Sequence, residues 1–170
     1  MPTFNQLWEK YPEKPFMKAK CQNKQVNSSS PFQNYCAINL SEALIRCGIS
    51  TKNAKVRRCW SHSGMRHILL AEEMADWLKR SHFGWLGKCE KINPETFQDD
   101  LSDRTGIIFF KDYWTRNRES FPNRSGDHID LWNKDAITSS GMLWRNITEF
   151  LFADVSDLNK SKDIWFWEVK

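Results

Sequence analysis

Read for the spacing of its apolar and polar positions, the chain runs as helices first and strands afterwards. Residues 4–11 read as a short helical beginning, and the run at 18–30, rich in Lys, Gln, Asn and Ser and ending at Pro31, reads as an irregular lead-in. The first strong helix opens near Asn34, carries Ala37, Leu40, Ala43, Leu44 and Cys47 at three- and four-residue spacing, and is stopped by Gly48. After a basic linker, Leu70, Ala71, Met74, Trp77 and Leu78 form the apolar face of a second helix that ends before Gly84. Asn93-Pro94-Glu95 combines a capping side chain, a proline whose missing N–H costs nothing at a helix start and a first-turn acid, which predicts a short third helix with Phe97 and Leu101.

At Gly106-Ile107-Ile108-Phe109-Phe110 the pattern becomes continuously apolar, the mark of a buried central strand. Residues 114–125 are polar and irregular. Residues 128–132 then alternate as a strand, Asn133-Lys134-Asp135 turns, and 136–140 return as the hairpin partner. An amphipathic piece at 144–152 and a closing strand at 163–169 complete the chain. The expected class is α+β, in one domain spanning 1–170, with the helix near Cys36 packed on a small antiparallel sheet.

Composition narrows this picture. Nine tryptophans and eleven phenylalanines exceed what a minimal core needs and predict an aromatic-lined cleft or partner surface. A net charge of +4 favours approach to an acidic surface, although it also serves as ordinary solubility charge. No apolar run reaches the roughly 20 residues of a membrane span, and the N-terminus lacks the basic and then apolar regions of a secretory signal. The expectation is a protein that is cytosolic or exported by a machine reading the folded chain.

Candidate chemistry rests on Cys36 and His128. A cysteine at a helix start has the positive end of the helix dipole to favour its thiolate, and an adjacent imidazolium favours it further. Cys36 sits at such a start, and His128 heads an alternating strand; His62, His67 and His82 suit surface or linker roles better. A third group should orient the imidazole. Asp130, two residues on and on the same strand face, and Ser139, opposite His128 across the turn, both qualify; the carboxylate is preferred because it stabilises an imidazolium better. Backbone N–H groups at the start of the Cys36 helix, with Gln33 or Tyr35, are the expected oxyanion donors.

Two other chemistries fit less well. Cys59-x-x-His62 has acceptable metal spacing, but His67 and Cys89 follow irregularly, so no metal and no cofactor are expected. The basic linker 52–66 with Arg116, Arg118 and Arg124 could face nucleic acid, but no recognised motif accompanies it, and neither nucleic acid nor membrane is expected as a partner.

Five pieces occur together in a fixed order: 34–44 (Asn34-Tyr35-Cys36-Ala37-Ile38-Asn39-Leu40 and on), 66–78, 106–114, 126–133 and the closing Ile164-Trp165-Phe166-Trp167. In this set the chain resembles the papain-like NlpC/P60 peptidoglycan amidases, and more specifically the type VI secretion amidase effectors of the fourth family. The resemblance implies cleavage of the γ-D-glutamyl–meso-diaminopimelate amide in peptidoglycan stems. It implies synthesis in the bacterial cytoplasm, injection by the type VI secretion machinery into the periplasm of a rival cell, and a cognate immunity protein that blocks the cleft. It carries Cys36 over as nucleophile and His128 as general base. Some members place an aspartate on the strand after the histidine strand, where this chain has Thr138-Ser139-Ser140, so the third member stays open between Asp130 and Ser139 or Thr138. Export would permit a disulfide, with Cys47 and Cys59 as the pair to test or else two unpaired thiols. A protease or deamidase acting on a protein target would share Cys36 and His128.

Overall fold

The computed structural model describes residues 1–25, 28–116, 118–137 and 155–170. Five α-helices are described: α1 (Phe4–Glu9), α2 (Lys14–Lys20), α3 (Cys36–Arg46), α4 (Ala71–Arg80) and α5 (Phe97–Asp100). Strands β1 (Gln22–Gln25) and β2 (Ser28–Pro31) pair with each other. Strands β3 (Glu90–Ile92), β4 (Thr105–Trp114), β5 (Gly126–Asn133), β6 (Ala136–Ile137) and β7 (Asp163–Glu168) form an antiparallel sheet in the order β3-β7-β4-β5-β6. The mixed α+β architecture with antiparallel sheets matches expectation.

The continuous apolar run of β4 is explained by its central place, because both faces are covered. Ile107 and Phe109 join Ile129, Leu131 and Trp167 in a core shared with α1, α3 and α4. Ile108 and Phe110 join Phe166 and Trp132 in a second core, under Phe97 of α5 and Leu158. Helix α3 presents Ala37, Leu40, Ala43 and Leu44 to the first core. Each leucine so buried contributes on the order of 2 kcal/mol. Helix α3 ends where Gly48 takes φ +80°, a left-handed conformation suited to glycine. No described helix is long and apolar enough to cross a membrane.

The structure departs from the sequence expectation around the lead-in: α2, started by Pro15, runs into its first residues, and the β1–β2 hairpin follows. Strand β3, only three residues long, pairs with β7 and breaks the helices-then-strands order. The Asn93 signal makes a turn, Asn93 Oδ1 accepting from Glu95 N at 3.1 Å, and the helix starts at Phe97. The β5–β6 turn falls as expected, with Lys134 at φ 65°. Thr138, Ser139 and the 144–152 piece lie outside the described residues.

Candidate active site

Cys36 is the first residue of α3. Tyr35 precedes it as N-cap but contributes no capping side chain to the helix. The first-turn N–H groups thus keep their positive field for an anion beside the thiol. The Tyr35 hydroxyl is committed elsewhere, accepting from Phe32 N at 3.0 Å and donating to Cys21 O at 2.7 Å. Tyr35 therefore anchors the approach to α3 and is withdrawn as an oxyanion donor; Gln33 remains at the cleft.

His128 and Asp130 sit on β5 opposite Phe110 and Ile108 of β4. The His128 ring lies between Phe110 and Tyr113, each with its centroid 6.4 Å away. Its Nε2 is 3.2 Å from Asp130 Oδ2, and a carboxylate only accepts, so Nε2 carries a proton. The same ring is hydrogen-bonded to Cys36. Burial opposes a charge on this ring, but hydrogen bonds to Asp130 and Cys36 outweigh it and push the His128 pKa up to about 10. The second oxygen of Asp130, fully buried, accepts from Leu131 N at 2.8 Å, which fixes the carboxylate plane.

Several residues with no prior signal complete the site. Burial first, and then the neighbouring Asp130, holds the Tyr11 hydroxyl well above the usual phenol range, so it stays protonated beside that carboxylate. Asn39, one turn beyond Cys36, is buried and lines the cleft. A β-bulge between Phe110 and Trp114, with Asp112 at φ 50°, swings Tyr113 and Trp114 to the cleft wall. Asp127, beside His128, receives the Asp112 N–H at 3.0 Å. Its burial still pushes the Asp127 pKa up to about 6 against that bond and Arg116.

Of these groups, Cys36, Asn39, Tyr113, Trp114, Asp127 and His128 line a cleft of about 310 Å³, with Lys14 and Lys18 of α2 also in its wall. Of the expected residues, Cys36, His128 and Asp130 come together. His67, assigned a surface or linker role from sequence, is fully buried. Cys47 and Cys59 do not pair: Cys47 Sγ faces Gln6 O at 3.5 Å, whereas Cys59 lies among Cys21, His62 and His67.

The arrangement can activate a thiol and return a proton to a leaving group, and the fold is α+β with that thiol at a helix start against an antiparallel sheet. A family model described as type VI secretion system (T6SS), amidase effector protein 4 (Tae4), matches residues 32–167, and the chain belongs to that family. No curated protein sequence matches the chain. Among solved structures, the Tae4–Tai4 effector–immunity complex from Enterobacter cloacae is similar at 19% identity and a TM-score of 0.64, covering 100% of this chain and 99% of that one. The Tae4/Tai4 effector–immunity system from Salmonella typhimurium, as a selenomethionine variant, gives 19% identity, a TM-score of 0.62 and coverage of 100% and 99%. The effector Tae4 from Enterobacter cloacae gives 18%, 0.59, and 100% and 98%. At these identities the likeness is one of fold.

Proposed function

We propose that this amidase effector is a cysteine hydrolase of papain-like, NlpC/P60 type, a single domain that cleaves the γ-D-glutamyl–meso-diaminopimelate amide of peptidoglycan stems. The observation that carries the reading is the meeting of Cys36, at the start of α3, with the imidazole of His128, itself held by Asp130.

The chemistry follows from that contact. With its proton already held on His128, Cys36 attacks the amide carbonyl carbon as thiolate, forming a tetrahedral oxyanion beside the N–H groups of the α3 start. His128 then protonates the amine as the C–N bond breaks, leaving a thioester. Water, deprotonated by His128, attacks the thioester, and its collapse releases the carboxylic acid and restores the thiol. Asp130 keeps the ring oriented through Nε2. Lys14 and Lys18 supply positive charge at the cleft for carboxylates of the stem. Delivery by the T6SS to the periplasm of a rival cell, and a cognate immunity protein covering the cleft, follow by analogy with the effector–immunity complexes of the similar structures.

The test is Cys36→Ala, scored by mass spectrometry of digested sacculi. Turnover should fall by about 10³-fold or more, with circular dichroism and melting curve close to wild type. Release of the same fragments by the variant would remove Cys36 from the reaction. Fragments cut at another bond would reassign the substrate.

A further inference from the structure

Away from the cleft, four side chains from two separate stretches converge on one point. Cys21 follows the end of α2. Cys59 and His67 face each other across a short backbone ladder, Cys59 N donating to His67 O at 3.0 Å and Leu69 N to Arg57 O at 3.0 Å. His62 lies in the turn between them, near Gly64 at φ +83°. The ligand atoms of all four lie within 4.8 Å of one another. Cys21 Sγ is 3.4 Å from His62 Nε2 and 3.1 Å from His67 Nδ1; Cys59 Sγ is 2.9 Å and 3.6 Å from the same atoms. A tetrahedral zinc ion, from its bond lengths of about 2.3 Å to sulfur and 2.0–2.1 Å to nitrogen, sets its ligand atoms roughly 3.3–3.8 Å apart.

The outer contacts fix which atoms face inward. His67 Nε2 lies 2.7 Å from Glu42 Oε2, and His62 Nδ1 lies 2.8 Å from Ser63 O. Both partners only accept, so those nitrogens carry the protons, and His67 Nδ1 and His62 Nε2 turn lone pairs toward the centre. These two nitrogens are 3.1 Å apart, and their facing lone pairs repel unless a cation or proton stands between them. The frame is also held in advance. Ser61 Oγ donates to Lys20 O and accepts from Gln22 N, on either side of Cys21, and Glu42 is clamped by Lys20 and Arg46. Cys21, Cys59 and His67 are fully buried, as in a closed structural site.

We propose that Cys21, Cys59, His62 and His67 bind one structural zinc ion, which braces α2 and the 57–68 loop against α3. Two thiolates with two neutral imidazoles in a tetrahedron suit zinc. Both cysteines bind as thiolates, and the four protein ligands leave no open position for substrate. The brace reaches the cleft through two contacts: Cys21 O holds the Tyr35 hydroxyl next to Cys36, and Glu42 belongs to α3. This revises the expectation of no metal. Cys89, weighed as a ligand from sequence, lies outside the group, and Cys21, unconsidered there, completes it. The inference does not depend on the cleavage chemistry.

The test uses the full chain, produced with zinc and purified without chelator. Elemental analysis should find about one zinc per chain. Cobalt(II) exchanged into the site should show thiolate-to-metal charge transfer and the strong visible bands of a tetrahedral centre. Cys36→Ala and Cys89→Ser should keep both signals. Cys21→Ser should lose at least tenfold in zinc affinity against a colorimetric chelator. His62→Ala should lose as much, and as a half-buried loop residue it preserves the fold. Chelation should lower the wild-type melting temperature by roughly 5–10 °C and expose two further thiols to modification. Folded wild type with far less than one zinc and no cobalt bands would overturn the proposal, as would a Cys21–Cys59 disulfide in peptide mapping or undiminished affinity in His62→Ala.

Discussion

His128 is asked to hold a proton in a buried place, and the balance of forces on it makes a pH prediction. Burial disfavours the imidazolium, but Asp130 and Cys36 together outweigh burial and place its pKa at about 10. In the folded protein the ring therefore keeps its proton well above the ordinary 6.5, and it loses that proton as pH rises toward 10. The alkaline limb of kcat/KM should lie correspondingly high. Asp130→Asn removes the charge but keeps a hydrogen-bonding side chain, so the limb should move to lower pH by about 1–3 units. Activity at neutral pH should fall roughly 10²-fold or more. A pH profile of stem-peptide cleavage checks this, and an unmoved limb would deny Asp130 its role. The same sign governs stability: the charged ring contributes most below pH 6.5, and its contribution is lost as pH rises through the range up to about 10. Cys36, His128 and Asp130 were legible because each rests on a local rule: a helix start, an alternating strand, and an i+2 spacing that keeps one face. Tyr11 and Tyr113 were not legible, because their roles arise from burial against groups far away in sequence.

At the level of elements, β5 is positioned by the packing of its first residue. Gly126 pairs with Trp114 across the bulge, and a Cβ placed there would run into the Trp114 indole. Gly126→Ala should therefore displace either Trp114 or the start of β5, two residues before His128, and destabilise the protein by about 1–3 kcal/mol. Urea denaturation measures that loss, and a parallel fall in kcat would show that the strain reaches the imidazole. An unchanged midpoint would mean that the indole moves freely. Helices α3 and α4 and strands β4, β5 and β7 were readable because each has a long periodic or continuous apolar signal. Strand β3 and the β1–β2 hairpin were not, since three or four mostly polar residues take strand form only through the partner they pair with. The metal cluster was hidden for a related reason. Its Cys59-x-x-His62 half follows the chain, whereas Cys21 is brought in by the stitching of Ser61 to the Cys21 flanks.

For the whole molecule, charge and cleft act in the same direction. The net charge is +4, and two lysines of α2, a helix that sequence alone did not identify, line the cleft that also contains Cys36. A polyanionic cell wall would be drawn to such a protein at long range, and carboxylates of a stem would be held at short range. The two contributions separate by salt and by substrate size. Raising ionic strength shortens the Debye length from about 10 Å at 0.1 M to about 3 Å at 1 M, so kcat/KM on intact sacculi should fall. Cleavage of a soluble stem peptide should respond less, because its contacts lie inside the cleft. Replacing both Lys14 and Lys18 by alanine should raise KM for the soluble peptide by roughly 3–10-fold with kcat nearly unchanged, because charge at the cleft wall acts on the binding of stem carboxylates. Steady-state kinetics on both substrates at two salt concentrations provide the check. Equal salt sensitivity on the two would place the attraction in the cleft alone. A fall in kcat with unaltered KM would mean that α2 acts on the catalytic helix and leaves the substrate untouched.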